Sequence, residues 1–488
     1  MKRIVIIIVG ALFALTSFAA KKDKVQEVDS LGRKVKTGWN FGALPSVAFD
    51  ADLGFQGGAL ANIYYYGDGS QYPEYIHSIY AEAAYTTKNY GIFRVNYDSK
   101  YLIPNHRLTL DATYQPDAMC DFYGFNGYQS VYDQDFHKWK KDQSKMGDPA
   151  EYQSRAFYKY KRDLFRFAAD VEGTVWKNIK WNAGLGVLGY MIDECDINML
   201  NGKKNVFDPN TPLADQKAMN GNVEGLYEKY VKWGLINPAE AKGGWHPYLR
   251  AGLTYDSRDQ RTCPTKGIYA DAFFTYTAAF GEQAKAGYNH LQFNFNFRHY
   301  VPIYRDRVTF AYRVGTQNNI AGSSPFYMNT YLNTLFIQRV MYEGLGGANS
   351  LRGIMRNRIL ANGFAYANVE LRTKVAKFDI GNQHFYIGLA PFFDLGVITQ
   401  PYTLPNDVVQ KYIDDGDPLK LELYDYFMLD SNGNIDQSKV YMPHMAAGLG
   451  LKVAMNENFV LSVDWAMALD KQDNAKWANF YIKMGYLF

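Results

Sequence analysis

The chain has 488 residues, with 52 Lys and Arg against 49 Asp and Glu, a formal net charge of +3. Near-neutrality excludes the concentrated basic surface that a nucleic-acid partner requires. Three cysteines (Cys120, Cys195, Cys263), with no CxxC, support neither a disulfide framework nor a zinc site. The excess lies in 40 tyrosines, 31 phenylalanines and 42 glycines, a composition for many strands with aromatics at interfaces and glycines at turns.

In chain order, residues 1–19 read as a secretory signal peptide. Lys2 and Arg3 precede an apolar run over residues 4–15, and Ser17-Phe18-Ala19 fits a small-x-small cleavage site. Twelve apolar residues are too few to span a bilayer as a helix, and no later run reaches eighteen. Residues 20–38 are expected to be a short periplasmic segment, too short for an independently folded module. The barrel proper is expected over residues 39–488.

From Trp39 onward the pattern has period two. Leu291, Phe293, Phe295 and Phe297 share one strand face, and Gln292, Asn294, Asn296 and Arg298 share the other. Phe459, Leu461, Val463, Trp465 and Met467 repeat it against Ser462 and Asp464, and Phe480, Ile482, Met484, Tyr486 and Phe488 repeat it again. About sixteen segments follow this rule, beginning near Trp39, Leu53, Glu74, Tyr90, His106, Tyr158, Asn178, His246, Gly267, Asn289, Arg307, Leu360, Gln383, Pro443, Glu457 and Lys476.

Connections after even-numbered segments are short. Several after odd-numbered ones are long: residues 116–151, 194–245, 318–358 and 400–441. A polar face opposite an aromatic one, with short turns on one side and long loops on the other, predicts an outer-membrane wall with lipid outside and water inside. The fold class is therefore all-β: a 16-stranded antiparallel transmembrane β-barrel, whose even strand count closes it and removes exposed edges. A surface helix or two is expected around residues 132–155.

The loop after the eleventh segment carries Gly344-Leu-Gly-Gly-Ala-Asn-Ser-Leu-Arg-Gly-Ile354. Glycines around one arginine invite a phosphate-cradle reading. Three other stretches favour a different one. Tyr255-Asp-Ser-Arg-Asp259 is followed by Pro264-Thr-Lys-Gly267, Phe392-Phe-Asp-Leu-Gly396 matches F-x-D-x-G, and Glu370-Leu-Arg372 matches E-L-R. With Leu351-Arg352-Gly353-Ile354 in place of V-R-G-F/Y, these motifs resemble the bacterial surface antigen family of outer-membrane assembly and translocation barrels. The resemblance covers essentially the whole mature chain as a bare barrel ending in an aromatic residue, with no room expected for the POTRA domains of the family's insertases. It implies that the loop folds into the lumen, with Arg352 paired to Asp394, Glu370 as a second acceptor, and Gly347 and Gly353 letting the backbone turn.

Other motifs resolve as structure. Gly184-Leu-Gly-Val-Leu-Gly189 matches GxGxxG but lies within a segment that alternates as a strand, without the strand-turn-helix setting of a dinucleotide site. The eight histidines show no HExxH, and none stands beside Ser462 and Asp464, so no catalytic residue, metal or cofactor is expected. The closing seam of the barrel should be weak. Gly42 and Pro45 interrupt the first strand, and Gly485 lies near the end of the strand that finishes at Phe488. The expected partners are the lipid bilayer and unfolded outer-membrane proteins or other outer-membrane subunits. The resemblance implies assembly of outer-membrane proteins or their export through the seam in a bacterial outer membrane. The alternative is a passive pore or a structural subunit.

Overall fold

A computed structural model describes residues 35–72, 74–134, 157–195, 225–335, 343–381, 383–417, 421–456 and 459–488. The signal peptide and most of the 132–155 stretch lie outside the described residues. The first eight strands are β1 (Trp39–Asp50), β2 (Gly54–Tyr65), β3 (His77–Thr86), β4 (Gly91–Ile103), β5 (His106–Asp121), β6 (Lys159–Trp176), β7 (Ile179–Glu194) and β8 (Gly243–Asp256). The second eight are β9 (Gly267–Thr277), β10 (His290–Tyr304), β11 (Val308–Gly322), β12 (Gly363–Ile380), β13 (Gln383–Gln400), β14 (His444–Met455), β15 (Phe459–Ala468) and β16 (Asn479–Met484). Each pairs antiparallel with its sequence neighbour, and β1 meets β16 to close a barrel of sixteen strands. No described helix is long and apolar enough to cross a membrane.

Local chemistry explains the short side. The turns after β4, β6, β10 and β14 each place a non-glycine residue in the left-handed region: Asn105, Lys177, Arg305 and Asn456. Positive φ is the backbone twist that tight hairpins require. On the other side, residues 122–158, 195–242, 323–362 and 401–443 form the long connections.

The period-two pattern sorts side chains as expected across the wall. Phe167, Leu185, Leu249, Phe274 and Phe393 stand exposed on the outside, where lipid covers them. Gln292 and Asn294 on β10 point inward and are buried. The inward face is not water-lined as expected, however. Asn294 is only 3 % exposed, and arginines, aspartates and asparagines of the inner wall are buried with it. The reason is that loops fill the lumen. Residues 343–362 lie among buried neighbours, and a roof of Phe122, Phe125, Tyr230, Trp233, Phe326 and Phe427 packs into one aromatic cluster above them.

The expected glycine motif in β7 has a packing role. A Cβ at Gly184 would collide with the Asp170 carboxylate, and one at Gly186 with the Tyr248 hydroxyl at 2.5 Å. These glycines leave room for inward-reaching polar chains from neighbouring strands.

The end of the chain departs from expectation. Strand β16 stops at Met484, and Gly485 takes φ of +81°. Tyr486, Leu487 and Phe488 then turn into the barrel and are buried, where Phe488 joins Tyr300, Ala311 and Leu487. Alternation alone put Tyr486 and Phe488 on the lipid face. A left-handed residue breaks the period, and buried cations beneath aromatic rings hold the turned-in tail: the Arg372 guanidinium lies 4.1 Å from the Tyr486 ring centre and donates to the main-chain oxygen of Phe488 at 2.8 Å.

Candidate functional site

Two features of the lumen meet at one place: the glycine-arginine loop between β11 and β12, and the seam between β1 and β16.

The loop backbone is shaped by its glycines. Gly346, Gly347 and Gly353 all have φ near +90° to +114°, a region that L side chains rarely enter. Gly353 also sits against the wall, because a Cβ there would come within 2.9–3.0 Å of the Met467 backbone on β15. The Ser350 hydroxyl receives the Gly346 N–H at 2.9 Å and has its single proton within reach of the Gly346 carbonyl at 2.8 Å and the Gly344 carbonyl at 3.1 Å, so the turn braces itself. Leu345, Leu351, Ile354 and Ile359 are fully buried with Phe364 and Ile398. Gly396, the last residue of the F-x-D-x-G motif on β13, leaves the space Leu351 fills: a Cβ at Gly396 would lie 2.6 Å from the Leu351 methyl.

This packing delivers Arg352 to a carboxylate-lined wall. Its Nε and Nη2 donate to the two oxygens of Asp394 at 3.0 Å each, a bidentate fork, and its backbone N–H adds a third bond to Asp394 at 2.9 Å. Nη1 donates to Glu370 at 2.7 Å and stands 3.7 Å from Asp464. The Phe392 ring lies under the guanidinium, 3.5 Å from centroid to Cζ. All four charged side chains have no solvent exposure. Arg372 holds the other oxygen of Glu370 at 2.8 Å, and Lys452 holds Asp464 at 2.5 Å. Three cations thus face three carboxylates, and this compensation makes the burial of so much charge tolerable.

Arg352, Asp394, Glu370, Gly347 and Gly353 therefore come together as one unit. Several partners carried no sequence motif. Arg356 donates to Asp117 and Asp121 on β5 at 2.7 and 2.9 Å. Arg358 donates to the carbonyls of Gly127, Ser130 and Gln472 in two neighbouring loops. The only hint in the sequence was the run Arg352-x-x-x-Arg356-x-Arg358, which names the donors and not their acceptors.

The seam is short. Strands β1 and β16 share two residue pairs, Phe49 with Ile482 and Asp50 with Tyr481, whereas β1 pairs with β2 along its whole length from Trp39 to Asp50. Gly42 and Pro45 lie on the stretch of β1 that has no β16 residue opposite. Gly485 and Phe488 do not reach the seam at all. At the β1–β2 turn, Asp52 is raised to about 7, chiefly by burial and then by the charges of Asp50 and Asp121. Glu343 of the loop is pushed up to about 8 by burial and by Asp50, against the pull of Arg356. Among the described residues no group of side chains is arranged to hold a metal ion.

A closed sixteen-strand barrel with a buried arginine loop and a two-pair seam defines a class of outer-membrane protein, one with a polar lumen sealed by its own loop. The model of the Omp85 superfamily domain matches residues 194–488, more than half of the chain, and the chain belongs to that superfamily. It is accordingly a bacterial outer-membrane barrel of a family of membrane-protein assembly and translocation proteins, and not an enzyme. Among solved structures it is similar to BamA from Haemophilus ducreyi lacking POTRA domains 1–3, at 14% identity and a TM-score of 0.50, covering 98% of this chain and 78% of that one. It is also similar to CdiB from Escherichia coli, at 11% identity and a TM-score of 0.49, covering 97% and 68%. CdiB from Acinetobacter baumannii follows at 10% identity and 0.45, covering 93% and 61%. At these identities the likeness is one of fold. No curated protein matches the chain.

Proposed function

We propose that this barrel aids the insertion or export of outer-membrane proteins by opening between β1 and β16. One observation carries the reading: among the described residues, 39–48 of β1 have no strand partner on their β16 side, while the tail that could have paired with them is folded into the lumen. An unpaired strand edge offers N–H and C=O groups to an incoming chain, which can add to it as a further strand. The chemistry required is hydrogen-bond exchange alone. The aromatic roof over the lumen speaks against a permanently open pore.

A disulfide across the seam tests this. The two-pair register selects Phe49→Cys with Ile482→Cys. With Cys120, Cys195 and Cys263 replaced, the crosslinked barrel should fold and show its heat-modified gel shift but fail to insert a radiolabelled outer-membrane client into vesicles. Reduction should restore insertion. Full insertion by a verified crosslinked barrel refutes lateral opening and leaves the pore or structural-subunit reading.

A further inference from the structure

The loop that Arg352 anchors to β12 and β13 also binds the seam strand. The Gly353 N–H donates to the Tyr481 hydroxyl at 3.1 Å, and the Lys483 ammonium donates to the Ala348 carbonyl at 2.7 Å. Tyr481 and Lys483 are the inward-facing residues of β16 just where it meets β1: Tyr481 is itself opposite Asp50, and Ile482 between them is opposite Phe49. The packing agrees with the hydrogen bonds. Ala348 and Tyr481 share a buried cluster with Phe392 and Ala466, and Ala51, the first residue after β1, packs against it. The cluster that holds the loop's Ala348 thus includes residues from both sides of the seam.

We propose that Tyr481 and Lys483 are the link through which the Arg352 loop keeps the seam shut, so that withdrawal of the loop is the step that permits β16 to leave β1. The inference rests on the seam reading above and adds its control. The two-pair ladder is too short to close the seam firmly by itself. Two side-chain bonds from the loop to the same three residues of β16 are of comparable number and strength to the ladder bonds they reinforce. The Arg352 cluster fixes the loop to Glu370 on β12, Asp394 on β13 and Asp464 on β15, so through the loop β16 is tied to strands two and three positions beyond its own neighbour as well as to that neighbour. Freed of these two bonds, β16 keeps its ladder to β15 and loses its inward restraint.

The seam pair Phe49→Cys and Ile482→Cys reports closure without any client. In a glutathione redox buffer, the equilibrium fraction of disulfide gives the effective concentration of one thiol near the other. Tyr481→Phe and Lys483→Met should each lower it about two- to tenfold, the factor that one hydrogen bond carries. Arg352→Ala should lower it too. Arg352→Ala combined with Tyr481→Phe should fall short of the product of the two effects, because both act through one link. Should Tyr481→Phe lose the heat-modified band of a folded barrel, Lys483→Met carries the test alone. Equal disulfide fractions in parent and folded variants overturn the proposal, as does full multiplicativity of the double variant. Lowered closure without any change in client insertion leaves this link standing and counts against the assembly reading instead.

Discussion

Arg352 makes five close polar contacts to carboxylates from a position with no solvent exposure, and that arrangement sets the cost of removing it. Arg352→Ala leaves Asp394 and Glu370 buried without their main partner, a loss of about 3–5 kcal/mol for a broken buried pair. The variant should lose its heat-modified gel shift at a lower temperature and expose the loop to protease. Unchanged values for both would show that the cluster carries no load. Glu343 makes a prediction in pH. Its folded-state value lies near 8, against an ordinary 4.5, because burial and the Asp50 charge disfavour the carboxylate. The unfolded chain releases this proton first, so stability should fall as pH rises from about 4.5 to about 8 and level off above. Asp52, raised to about 7, adds a slope of the same sign. Glu343→Gln should flatten the decline in urea midpoints across that window; an identical slope in the variant would reject Glu343 as its source.

At the scale of a strand, alternation decides the price of a charge. Phe295 on β10 lies on the lipid-facing side, with Phe293 and Phe297 flanking it. Phe295→Arg near the midplane should cost roughly 2–4 kcal/mol, while Phe295→Leu should cost little, both read from urea titrations of the barrel refolded in vesicles. Equal stability of the two variants would mean that the register is off by one. The simple contrast with a tolerant inner face does not hold, because Asn294 is buried among Gln292 and its neighbours. An arginine at position 294 would overpack a filled lumen. Strand starts were legible from sequence to within a few residues, from Trp39 to the last strand, because a wall between lipid and a polar interior forces period two. The fate of Tyr486 and Phe488 was not legible, because a single left-handed glycine ends the period without disturbing the residue types around it.

For the whole molecule, the roof and the luminal loop act together. Arg358 ties the loop to the carbonyls of Gly127 and Ser130 in one long connection and Gln472 in another, and Arg356 ties it to β5. Arg358→Ala should leave the strands intact and loosen the roof, seen as faster proteolysis of the long connections and as larger, more frequent current steps in planar bilayers. Currents and cleavage indistinguishable from the parent would show that the aromatic cluster holds the roof unaided. Sequence by itself determined the barrel: strand number, facing and the long-loop side follow from local alternation and turn chemistry, which each segment carries alone. The partners Arg352, Asp394 and Glu370 were legible through the resemblance of their motifs to a known family, and the guanidinium's need for carboxylates is consistent with that pairing. Only the tertiary structure decided that an aromatic cluster from other connections joins the loop in filling the lumen, that the tail turns inward, and that the seam is two pairs long and bonded to the loop through Tyr481 and Lys483. Those outcomes depend on which residues closure brings together from opposite ends of the chain, and a contact between positions 353 and 481 leaves no periodic trace in either segment.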